Sequence, residues 1–285
     1  ERNNRLPDYC LMVAARQRTI AAMLETFEPF DLMRGGVRLH GRRGGQGEPL
    51  LLLHGHQQTH AMWHRVAPVL ARHFSVVMMD LRGYGDSGRP DGGEDHANYT
   101  KRVMAQDAMA VMAHLGHRRF RVLAHDRGAR VAHRLAADHA DAVHQLMLLD
   151  IAPTLAMYEN TQQDFARAYW HWFFLIQPPP LPEALIESDP VRYLRSVMGK
   201  RHAGLGAFSP EALAEYERCI RIAGSARAIA EDYRASAGPD LEHDRSDLAA
   251  GRQLSMPVRV LWGEHATVGQ CFDVLALWRA CASQV

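Results

Sequence analysis

A carboxylate set between small residues stands at the centre of the segment Arg121-Val122-Leu123-Ala124-His125-Asp126-Arg127-Gly128-Ala129-Arg130. Ala124 and Gly128, two positions either side of Asp126, permit the tight strand-to-helix turn that pushes a central side chain into a site. An apolar strand-like run, Val122 to Ala124, precedes the aspartate, and a helix-compatible run, Ala129 to Ala137, follows it, which is the context such an elbow requires. A carboxylate that displaces a leaving group from an sp3 carbon forms an alkyl ester, and histidine-activated water can then hydrolyse it. Serine would serve acyl transfer; aspartate points to carbon–halogen or epoxide substrates. Arg127 and Arg130 lie three apart near a helix start and share one face there, so their guanidinium forks can hold a substrate carboxylate beside the positive end of the helix. Either arginine alone reads as a structural charge. Their joint placement beside a candidate nucleophile favours the clamp.

The elbow from His125 to Arg130, the segment His54-Gly55-His56-Gln57-Gln58-Thr59-His60-Ala61-Met62-Trp63, and Tyr169-Trp170-His171-Trp172-Phe173-Phe174 together resemble haloacetate dehalogenases of the α/β-hydrolase superfamily, including the fluoroacetate dehalogenases. The resemblance runs from about Phe30 to the C-terminus. Haloalkane dehalogenases and epoxide hydrolases usually carry tryptophan directly after the nucleophile, where this chain has Arg127. The resemblance implies that Asp126 is the nucleophile and that Arg127 and Arg130 hold the substrate carboxylate. It also implies that the halide is met by His171, Trp172 and Tyr233, with Tyr216 and Tyr193 competing for the tyrosine role. Fluoride is a poor leaving group, so its developing charge needs preorganised N–H and O–H donors in a site largely closed to water. The alternative for Tyr169 to Phe174 is an aromatic patch packed between two layers.

Asp150 ends the apolar run Leu146 to Leu149, and the resemblance gives it the role of the acid that orients the histidine. Glu264, after Val258 to Trp262, is the competing acid, and a cap on the turn before Pro153 is the structural alternative for Asp150. Backbone N–H groups of His56 and Arg127 are expected to form the oxyanion hole. Relatives usually have phenylalanine and proline where His56 and Gln57 stand, so His56 makes this pocket more polar and pH-sensitive. The family's catalytic histidine follows the last core strand. His265 comes one strand too early for it, and His125, preceding the nucleophile, is expected to point away from the site. A longer natural protein is therefore expected, along with a chain that forms the ester slowly and fails to hydrolyse it.

Strand-like segments at Val37 to His40, Leu50 to His54, Ser75 to Asp80, Phe120 to Ala124, Gln145 to Asp150 and Val258 to Trp262 alternate with helix-like ones at Ala61 to Arg72, Thr100 to Leu115, Gly128 to Asp138 and Gln270 to Ala282. Such alternation predicts an α/β fold with a mostly parallel sheet. Between Pro153 and about Leu254 the alternation gives way to helical, aromatic and proline-bearing segments. The expected organisation is an N-terminal extension over residues 1–29 with a helix from Cys10 to Phe27, an α/β-hydrolase core over 30–152, an inserted helical cap over 153–254, and a C-terminally incomplete second core part over 255–285. The glycine-rich run Asp80 to Pro90 lacks the lysine of a phosphate loop and reads as a connector.

A formal net charge of +1 gives no bulk electrostatic reason to expect nucleic acid or membrane partners. Cys10, Cys219, Cys271 and Cys281 show no metal or redox spacing, and no apolar run is long enough to span a bilayer. A cytoplasmic enzyme with reduced thiols is the simplest reading. The 17 histidines invite a metal, and the pair His133 and His139 or the set His54, His56, His60 and His64 could gather one; none shows a usual zinc spacing, so no metal and no cofactor is expected. The partner is a small haloacid, with homodimer formation left open. The implied activity is hydrolytic dehalogenation of a short 2-haloacid to glycolate and halide. The alternatives are an epoxide hydrolase, against which Arg127 and Arg130 argue, and a non-catalytic binding protein on a hydrolase scaffold.

Overall fold

The computed structural model describes residues 22–200 and 203–285. The greater part of the expected Cys10 to Phe27 helix lies outside the described residues. Runs of apolar residues become strands because both faces of the sheet are covered. In β3 (Glu48–Leu53), Leu51 and Leu53 belong to one hydrophobic layer and Leu50 and Leu52 to the other. β4 (Phe74–Met79) divides Val77 and Met79 from Val76 and Met78 in the same way, as the two-residue period of a strand requires.

The sheet has seven strands in the order β1-β2-β4-β3-β5-β6-β7. β1 (Glu28–Arg34) and β2 (Val37–Gly44) form an antiparallel hairpin joined antiparallel to β4. From β4 through β3 and on to β5 (Phe120–His125), β6 (Val143–Leu149) and β7 (Val258–Leu261), the strands run parallel. The order reverses between β3 and β5, and in an open α/β sheet such a reversal opens a crevice beyond the strands' carboxyl ends. Asp126 follows β5 directly, so the elbow lies at that crevice.

Three local expectations change. β1 carries no clear apolar run, and Phe30 is its one fully buried residue, so alternation did not single it out. The stretch expected as one helix from Ala61 to Arg72 divides into a 3-10 turn, His60–Arg65, and a short helix, Ala67–Leu70, because Pro68 has no N–H with which to continue a helical ladder. The stretch from Gln270 to Ala282 divides at extended Phe272, where the Asp273 carboxylate caps a fresh helix, Val274–Cys281, by accepting from the Ala276 N–H.

Between β6 and β7 the chain is helical, from Thr154–Glu159 to Pro239–Ala249. Its boundaries follow elementary rules: Asp189 and Ser209 cap helices that open on Pro190 and Pro210. Among the described residues no helix is long and apolar enough to cross a membrane.

Candidate active site

Asp126 sits at the junction of β5 and the helix Asp126–Asp138 with φ of 45°, a left-handed conformation unusual for a residue with a side chain. That strain is what an elbow uses to lift its central side chain off the sheet. Gly128 makes the close approach feasible. Its N–H donates to the His54 carbonyl at 2.9 Å, and a Cβ added there would stand 2.5 Å from the same oxygen and 2.6 Å from the Leu53 carbonyl carbon. Gly128→Ala is therefore expected to cost about 3 kcal/mol, because backbone rather than a flexible side chain must yield. Thermal melting checks this; a Tm within a degree of the parent would contradict the contact.

The Asp126 carboxylate accepts from the backbone N–H of His56 at 2.9 Å. Burial opposes its ionisation, but the positive surroundings of His125, Arg130 and Arg127 outweigh burial and hold its pKa below the usual carboxylate range. The group is thus an anion at neutral pH, the form a nucleophile needs.

Both elbow arginines are buried, and they are held differently. Arg127 donates Nε to Asp232 Oδ2 at 2.9 Å and Nη2 to Asp232 Oδ1 at 2.7 Å, and Nη2 also reaches the Ser236 hydroxyl. Its guanidinium lies over the Tyr233 ring, 4.1 Å from the centroid. Arg130 donates Nη1 to the Thr154 hydroxyl and the Ala152 carbonyl, and lies over the Trp172 ring at 4.6 Å. Arg127 Nη1 and Arg130 Nε remain as buried donors with no protein acceptor. Asp232 was not singled out in the sequence, since 105 residues separate it from Arg127. It also accepts from Tyr84 and Lys101, which makes it the node of a buried network between the sheet and the helix Ser225–Ala237.

His171, Trp172 and Tyr233 come together as expected. The His171 and Tyr233 rings are 5.9 Å apart, and those of Trp172 and Tyr233 6.3 Å. Trp172 Nε1 and the Tyr233 hydroxyl are buried donors with no protein acceptor. Burial and the neighbouring Asp126 push the Tyr233 pKa far up, so it stays a protonated donor. Of the competing tyrosines, Tyr193 packs against Trp170 and Phe174, and Tyr216 against Phe208. Tyr158, absent from the sequence reading, packs on Trp172 at 5.0 Å.

A cavity of about 820 Å³ opens over the carboxyl ends of the strands, and its walls include Asp126, Asp150, Glu264, His265 and His171. Asp150, at φ of 59°, has a buried Oδ1 with no partner and does not cap the helix that follows Pro153. His125 corrects an expectation. It lines this cavity instead of pointing away, although it keeps extended geometry as the last residue of β5 and, by the strand's alternation, lies on the face opposite buried Ala124. The set His54, His56, His60 and His64 does not assemble; among the described residues the one group of three or more metal-binding side chains brought together is His40, His60 and Asp80. In it Asp80 already accepts from the His60 ring and backbone and from the Asp86 N–H, so it is a hydrogen-bonded brace below the loops.

A strand-borne elbow with an ionised aspartate, beneath helices that close over it, defines a hydrolase-fold enzyme, and the sequence pattern of that fold matches residues 48–198. The chain belongs to the α/β-hydrolase family. It is 44% identical to the fluoroacetate dehalogenase of Burkholderia sp, with 90% of this chain and 84% of that protein covered. It is 35% identical to the soluble epoxide hydrolase of Corynebacterium sp. (strain C12), with 89% of this chain and 85% of that protein covered. The crystal structure of ALR0039 from Nostoc sp PCC 7120 superposes with a TM-score of 0.89 at 54% identity, over 92% of this chain and 89% of that one. The resemblance read from the elbow and the aromatic segment is borne out.

Proposed function

We propose that the protein hydrolyses short 2-haloacids such as chloroacetate or fluoroacetate to glycolate and halide, through an ester on Asp126. The observation that carries this reading is the grouping of buried, unaccepted donors near an ionised aspartate: Arg127 Nη1, Arg130 Nε, Trp172 Nε1 and the Tyr233 hydroxyl. Buried donors left without acceptors cost free energy, and two anionic groups, a carboxylate and a departing halide, would satisfy them.

In this reading an Asp126 oxygen attacks C2, the carbon–halogen bond breaks, and the halide leaves with the bonding pair. Arg127 and Arg130 hold the carboxylate so that C2 faces the nucleophile, which removes the orientational cost of attack. His171, Trp172 and Tyr233 meet the halide, while the helices between β6 and β7 act as a cap that excludes water. Hydrolysis of the ester develops a negative oxygen, for which the backbone N–H groups of His56 and Arg127 are the proposed donors, with Asp150 the acid that orients the base. Similarity to fluoroacetate dehalogenase supports the substrate class.

The test is halide release from chloroacetate and fluoroacetate, followed together with intact mass after a denaturing quench. Halide release, either as turnover or as one equivalent with an ester on Asp126, supports the reading; neither halide nor adduct overturns it. Arg130→Lys is expected to raise KM for chloroacetate at least about tenfold with a smaller change in kcat, because a point charge does not reproduce a guanidinium held between Thr154 and Trp172. An unchanged KM would remove Arg130 from the clamp. The similarity to an epoxide hydrolase favours a second reading with the same nucleophile; diol formation from an oxirane, without halide release from haloacids, would select it.

A further inference from the structure

His56 belongs to the loop after β3, and its side chain has no part in the scheme above. Its ring nevertheless enters the wall assigned to the halide. It stacks on His171, with centroids 5.4 Å apart and 13° between planes, and stands edge-on to Tyr233 at 5.0 Å. Tyr84 lies at 6.5 Å on another side. Its own backbone N–H is on the Asp126 carboxylate, so the ring is anchored one residue's reach from the nucleophile. The two imidazoles are thus near-parallel neighbours, each with ring nitrogens that donate or accept according to protonation.

We propose that His56 and His171 act as one proton-binding pair that receives the departing halide, so that His56 is a further catalytic residue and the halide subsite is governed by pH. This rests on the dehalogenase reading. The step balances without proton transfer: the Asp126 oxygen forms a bond to C2, the carbon–halogen bond breaks, and the halide carries off the electron pair and accepts an N–H from the imidazolium. One proton is held by the pair, because two imidazolium charges on rings with centroids 5.4 Å apart would repel one another. Asp126 favours that proton, while Arg127 and Arg130 oppose it; Tyr84, Tyr233 and Tyr169 are the phenols that face the pair, the last stacked on His171 at 5.7 Å. His125 and Lys200 line the same cavity. As the ester forms, Asp126 loses its charge and the halide takes over as counter-ion. Fluoride, the strongest hydrogen-bond acceptor among the halides, gains most.

His56→Phe is the test, since it keeps a ring against His171 and Tyr233 and keeps the backbone N–H. Bromide binding is read by tryptophan fluorescence, which Trp172 in the wall reports, between about pH 5 and 8 where histidine charge changes. The parent is expected to bind bromide at least about tenfold more tightly at the acid end, and His56→Phe to bind weakly with no pH dependence. His56→Gln, which offers a neutral donor, should also lose the pH dependence. In turnover, the ratio of kcat for fluoroacetate to kcat for bromoacetate should fall at least about tenfold in His56→Phe. An unchanged pH profile together with an unchanged ratio in both variants overturns the proposal. Bromide binding that depends on pH and on His56, in a protein that consumes no haloacid, would leave the pair standing and reject the dehalogenase reading.

Discussion

Asp126→Asn should reduce halide release from chloroacetate by on the order of 10⁴-fold or more, the scale seen when a nucleophile is removed, while leaving the fold in place. The amide is nearly the same size and its carbonyl can still accept from the His56 N–H. Asparagine is also among the few residues that tolerate the left-handed backbone of this position, φ of 45°. The variant therefore separates chemistry from architecture, and its Tm should stay within a few degrees of the parent. Any ester that chloroacetate leaves on the parent protein after a denaturing quench should be missing from the variant. Halide release surviving in a folded Asp126→Asn protein would transfer the nucleophile's role elsewhere. Because His125 and both arginines hold Asp126 ionised far below neutrality, its own titration cannot set any acid limb seen near neutral pH. The His56 variants, and not Asp126→Asn, therefore carry the pH measurement.

The parts of this molecule that could be read in advance are those whose cause is local. β3 and β4 announce themselves because burial on both faces demands apolar runs, β5 to β7 do so through apolar residues interrupted by polar ones, and the elbow does so because small residues must flank the strained aspartate. The aromatic segment from Tyr169 to Phe174 likewise keeps its donors within a single turn. Interactions between distant segments left no such trace. Nothing near Arg127 in the chain announces Asp232, and nothing in a count of alternating side chains announces that His125 enters the cavity, since segments distant in the chain complete the cavity's walls. The hairpin strand β1 was missed for the opposite reason: it lies at the sheet's edge with most of its side chains in solvent, so its pairing with β2 is carried by backbone hydrogen bonds.

Asp232 is where the second large effect is expected. Asp232→Ala should cost about 3 to 5 kcal/mol, the penalty for stranding a buried charge, and lower the Tm by roughly 10 °C at this chain length. Burial opposes ionisation of Asp232, but Arg127 and Lys101 hold it in the charged form, so both cations depend on it. Lys101 retains Asp240 at 3.3 Å, whereas Arg127 keeps only a hydroxyl and a carbonyl, so the greater share of the loss falls on Arg127. Function should follow stability down: Tyr233 is the next residue on the same helix, so one bidentate pair fixes both the proposed carboxylate donor and the proposed halide donor. Replacing both partners, Asp232→Leu with Arg127→Met, should recover part of the lost Tm because no buried charge is left unpaired. It should not recover haloacetate turnover, because the clamp has then lost one of its two cations. A double variant no more stable than Asp232→Ala would mean that the cost arises from packing around Tyr84 and Tyr233 and not from the stranded guanidinium.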